Sequence, residues 1–70
     1  MRVEMIRQAA DVLLDVPGDA QREIVVLLEA AGSAPFPRPG ALAAAFGPSC
    51  WVEYVVRGDV IEVRDVGCLC

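Results

Sequence analysis

The sequence predicts an α+β fold in which an αα-hairpin packs on a small antiparallel β-sheet, in the order β-α-α-(α)-β-β. Three observations lead there. Apolar residues recur at helical spacing in two segments parted by Pro17-Gly18. Two β-branched runs of alternating polarity flank Gly58-Asp59. The length, 70 residues, admits one domain spanning residues 1–70 with a thin core.

The first element is short. Arg2-Val3-Glu4-Met5 alternates polar and apolar side chains and reads as a strand at a sheet edge. From Ile6 the period changes to three and four. Ile6, Ala9, Ala10, Leu13 and Val16 share one helical face, with Arg7, Asp11 and Asp15 opposite. Pro17-Gly18 ends that helix, because proline lacks the amide donor and clashes with the preceding turn. Asp19 is placed to cap the next helix, whose apolar stripe is Ala20, Ile24, Leu27, Leu28 and Ala31. Gly32, free to adopt left-handed backbone, is the expected terminator.

Between Ser33 and Gly40 three alternate prolines read as a stiff extended connector, with a ligand for an SH3-like domain as the alternative. Ala41 to Phe46 is helix-prone and is expected to form a short helix closing at Gly47-Pro48. The last segment is a hairpin. A two-residue loop that begins with glycine suits a type II′ turn. The register it implies pairs Val56 with Ile61, Tyr54 with Val63 and Val52 with Asp65 on one face. On the other it pairs Arg57 with Val60, Val55 with Glu62, Glu53 with Arg64 and Trp51 with Val66. The Glu53–Arg64 pair brings opposite charges together. Leu13, Ile24, Leu28, Tyr54, Val56 and Ile61 are the expected core.

Composition narrows the function. Hydrophobic residues make up 56% of the chain, more apolar surface than so small a core hides, so some is expected to face a partner or a second copy. No apolar run approaches the roughly 18 residues that cross a bilayer. The formal net charge is −4, and the six basic residues, all Arg, are scattered along the chain. Nucleic-acid binders gather their cations on one surface, so nucleic acid is disfavoured as a partner. The first residues lack the pattern of a secretory signal. An odd cysteine count without one points to a reducing cytoplasm, in which Cys50, Cys68 and Cys70 are thiols.

Catalytic chemistry finds little to use. The chain has no His, the usual general base and metal ligand. Ser33 and Ser49 have no partner base, and the glycines do not fall into a phosphate-binding spacing. Cys50, Cys68 and Cys70 make three thiols where a closed zinc site uses four ligands. No catalytic residue, metal or cofactor is therefore assigned, and enzymatic activity is not expected. Cys68-Leu69-Cys70 leaves open a small precursor or carrier modified at those residues. Asp11 and Asp15 read as a solvated face, and Phe46 and Trp51 as apolar anchors for a partner. The expected contact elements are the exposed edge of the final hairpin and the Ala-rich stretch Ala41 to Phe46.

Taken together these segments resemble the RelE/ParE superfamily of bacterial type II toxins. The resemblance is carried by Ala9-Ala10-Asp11-Val12-Leu13-Leu14-Asp15-Val16-Pro17, the helix from Asp19 to Ala31 and the Pro-rich connector. Trp51-Val52-Glu53-Tyr54-Val55-Val56-Arg57 and Ile61-Glu62-Val63-Arg64-Asp65-Val66-Gly67 continue it, with one central strand of the family pattern short or absent. It implies a toxin–antitoxin setting and a protein partner, an antitoxin or another subunit, in a homo- or hetero-oligomer. Where family members follow the Val-Gly step with a His-Arg-type sequence, Cys68 and Leu69 stand here. Ribonucleases of the family are also basic, whereas this chain is acidic. The resemblance thus implies binding more than RNA cleavage. Arg57 and Arg64 are the residues an RNA-directed role would retain, and they join Phe46 and Trp51 as expected interaction residues. The alternative is a non-catalytic, self-associating interaction subunit of another bacterial complex.

Overall fold

The computed structural model describes residues 2–33 and 40–69. Its elements run β1 (Arg2–Met5), α1 (Arg7–Asp15), α2 (Gly18–Ser33), β2 (Leu42–Phe46), β3 (Cys50–Arg57) and β4 (Val60–Cys68). Residues 34–39 of the expected connector and Cys70 lie outside the described residues. The α+β layout holds: both helices cover one face of a four-stranded sheet ordered β1-β4-β3-β2, with α1 over β4 and α2 over β3 and β2.

The sheet is mixed where an antiparallel one was expected. β2, β3 and β4 run antiparallel to one another, but β1 joins β4 in parallel, with Arg2 opposite Val60 and Met5 opposite Val63. The chain leaves β1 through the whole helical layer before it reaches β4, so no tight turn forces the pair to oppose.

Residues 42–46 form a strand, not the short helix expected of Ala41 to Phe46. Ala43 and Ala45 are small enough to pack against the core beneath α2, while Leu42, Ala44 and Phe46 face outward. The helix preference of alanine is worth well under about 1 kcal/mol per residue. Pairing with β3 across all five positions outweighs it. The final hairpin is consequently internal to the sheet, and the edge expected there belongs to β2 instead.

Local chemistry sets the helix ends. Val16 precedes proline and is extended (ψ 156°), which stops α1 one residue short of Pro17. Gln21 donates its side-chain amide to the Leu13 carbonyl at 2.9 Å, satisfying an acceptor that the end of α1 leaves free. Asp19 lies inside the first turn of α2 rather than at its cap, since the helix already begins at Gly18. Its carboxylate there faces the positive end of the helix dipole. Gly32 stays helical and α2 continues to Ser33, so the expected left-handed stop is absent.

The α2 stripe of Ala20, Ile24, Leu27, Leu28 and Ala31 is wholly buried. It meets Val52, Tyr54 and Val56 from β3 and Ile61, Val63 and Val66 from β4 in one apolar cluster. Leu13 only packs half-buried against it. Gly58 opens the β3–β4 turn with φ +60° and Asp59 keeps a negative φ, as a type II′ turn requires.

The hairpin register holds from that turn to Tyr54–Val63 and then shifts. A bulge next to Glu53 inserts Arg64 without a partner, so Glu53 faces Asp65, Val52 faces Val66 and Trp51 faces Gly67. The expected Glu53–Arg64, Val52–Asp65 and Trp51–Val66 pairs are corrected by this one extra residue. Burial drives the shift. With Arg64 and Asp65 both turned outward, Val66 returns to the core at 3% exposure.

Two of the three cysteines also depart from expectation. Cys50 and Cys68 are paired across β3 and β4, with Cα atoms 4.0 Å apart, and are joined as a disulfide. Direct cross-strand pairing on the core face brings the sulfurs together. Among the described residues no group of three potential ligands could hold a metal ion, and no helix is long and apolar enough to cross a membrane.

Candidate functional site

With the helices on one side, strand alternation sends Trp51, Glu53, Val55 and Arg57 of β3 to the other. Leu42, Ala44 and Phe46 of β2 stand beside them through the pairs Phe46–Trp51, Ala44–Glu53 and Leu42–Val55. All four residues singled out in the sequence reach this side, which no helix among the described residues covers. Phe46 is 77% exposed, Trp51 is half-buried, and Arg57 and Arg64 are exposed.

A shallow groove of about 470 Å³ crosses the face. Ile6, Leu42 and Val55 give it apolar walls, and Val55 is only 6% exposed. Arg57, Arg64, Glu53 and Asp65 line it with charge. The two arginines are not equivalent. Arg64 bonds Glu62 at 2.7 Å, while Arg57 has no ion pair among the described residues. Glu53 and Asp65 stand directly opposite each other, a like-charge pair that costs stability unless a cation comes between them.

The aromatic end of the face is held from below. Glu23 of α2 accepts hydrogen bonds from Ser49 N at 3.0 Å, Ser49 Oγ at 2.9 Å and Cys50 N, which fastens the β2–β3 turn to the helix. The Ser49 amide bond leads in holding the Glu23 carboxyl below its ordinary pKa, against a smaller opposing effect of desolvation. A side chain at Gly47 would press on this carboxylate, its Cβ lying 2.7 Å from Oε2. Glu23 thereby fixes the turn between the strands that carry Phe46 and Trp51. Sequence reasoning missed it because a glutamate in a helix gives no local sign of a partner 26 residues away.

No protein-family model matches the sequence, and no curated protein matches it. The fold is similar to that of a chain in the crystal structure of the RelB-RelE antitoxin-toxin complex from Methanococcus jannaschii. The TM-score is 0.64 over 93% of this chain and 88% of that one, at 16% sequence identity. At that identity the likeness is one of fold.

Proposed function

We propose that this protein is a RelE/ParE-like toxin-type domain that works by binding another protein through its open sheet face, held there by an antitoxin-type partner. One observation carries the reading: the face combines apolar groups with charges of both signs. A polyanion would meet Glu53, Glu62 and Asp65 beside Arg57 and Arg64, a poor match to evenly spaced phosphates. A protein segment can supply what the face lacks, a carboxylate for Arg57, a cation between Glu53 and Asp65, and an apolar side chain against the exposed Leu42 and Phe46. The fold likeness to a chain of a toxin–antitoxin complex supports the same setting. No side chain on the face is assigned a chemical step, and the proposed compartment is the cytoplasm.

The test is affinity purification from the native host, followed by titration of the purified partner against wild type and Arg57→Glu. A small co-purifying protein whose affinity falls at least tenfold with Arg57→Glu, and RNA left intact by the free chain, is the expected result. Cleavage of RNA by the purified chain would overturn the reading.

A further inference from the structure

We propose that β2 pairs antiparallel with β2 of a second copy about a twofold axis at Ala44, merging two four-stranded sheets into one. This goes beyond the hetero-partner above and uses the backbone edge of β2, whose Leu42 and Phe46 also border the face.

The two edges of the sheet differ in kind. β1 is four residues long and carries Arg2 and Glu4, 3.9 Å apart, charges that discourage a further strand. β2 reads Leu42-Ala43-Ala44-Ala45-Phe46, with no charge and no proline, and it keeps regular register against β3. Leu42 and Phe46 on it are 61% and 77% exposed. In a chain of net charge −4 this edge meets its own copy without repulsion at the contact.

Backbone polarity points the same way. Gly47 N bonds Cys50 O at 2.8 Å, and bonding alternates along an antiparallel pair, so Ala45 and Ala43 direct their amides and carbonyls to β3. Leu42, Ala44 and Phe46 therefore direct theirs outward, where β2 has no neighbour among the described residues. The pattern of large, small, small, small, large is its own complement. A twofold axis at Ala44 sets Leu42 against Phe46 of the second copy, Ala44 against Ala44, and Phe46 against Leu42. Each pair exchanges both backbone bonds, and the isologous contact closes on itself. Strands this short bury an interface at the low end of specific ones, below about 1,200 Å² in total, so the dimer depends on concentration.

Sedimentation velocity over a concentration series tests the proposal. Wild type is expected to shift from monomer to dimer. Ala44→Pro removes an outward amide and leaves the β3 ladder intact, as an edge position allows. It should stay monomeric with an unchanged circular dichroism spectrum. Ala44→Lys and Ala44→Glu each place like charges opposite one another and should weaken self-association at least tenfold. Their equimolar mixture should recover a mixed dimer even if the proline variant fails to fold. A wild type that stays monomeric throughout assigns the edge to a different partner and overturns the proposal. So does a mixture that fails to pair, because position 44 would not face itself. Arg57→Glu should leave this equilibrium unmoved, which separates failure here from failure of the hetero-partner reading.

Discussion

The six-membered ring of the Trp51 indole covers Gly67, its partner on the neighbouring strand, so closely that a Cβ at 67 would fall within it. An aromatic placed over a glycine restores the packing that the missing side chain forfeits. Gly67→Ala forces the ring or the strand aside, at an expected cost of about 1–3 kcal/mol. Urea unfolding should show a lower midpoint, accompanied by a red shift in tryptophan emission. An unchanged midpoint and spectrum would mean that the indole swings clear without loss.

Glu23 makes stability depend on pH in a definite direction. Its carboxyl is held below the ordinary value of 4.5, first by the Ser49 amide, so the unfolded chain binds the proton more tightly than the folded one. The contribution is complete above about pH 4.5 and is lost as pH falls through the folded value. Glu23→Gln should melt below wild type at neutral pH, with the gap narrowing in acid. Parallel melting profiles at the two pH values would contradict this.

Cys50 and Cys68 are 18 residues apart in sequence. Closing a loop of that size stabilises by about 3 kcal/mol through the entropy of the unfolded chain. A reductant, or the double change Cys50→Ala with Cys68→Ala, should lower the melting midpoint and leave the helical signal in place, because Ile24, Val52 and Val63 stay buried. In a reducing compartment the bond is open to the same loss. A chelator should change neither spectrum nor midpoint, and unfolding on chelation would point to a metal site.

Leu28 and Leu14 offer a matched pair. Leu28 is 8% exposed against the sheet, and Leu14 is 76% exposed on α1. Leu28→Ala should cost about 2–5 kcal/mol, whereas Leu14→Ala should fall within about 0.5 kcal/mol of wild type. Equal effects would mean the helix faces are assigned wrongly.

Much of the architecture was legible because it is written at short range. The α2 stripe needs only its own spacing to declare its buried face, and Gly58-Asp59 sets the turn and the first four pairs of the last hairpin. Residues 42–46 show where local reading ends. Their alternation of outward Leu42, Ala44 and Phe46 with inward Ala43 and Ala45 was present, but three alanines hide it behind a helical preference. Arg64-Asp65 between two valines likewise spelled a bulge, which a strict period of two passed over.

The sequence by itself determined the two helices, the hairpin, the acidic balance and the absence of histidine, since each depends on neighbours in the chain or on composition. Only the tertiary structure decided that β1 runs parallel to β4, that Cys50 bonds Cys68, that Glu23 holds the turn before Trp51, and that Phe46, Trp51, Arg57 and Arg64 reach one side of the sheet. Those relationships join residues far apart in sequence. They are set by which apolar faces must be buried together and which backbone groups must find partners, and no short window of sequence contains both members of such a pair.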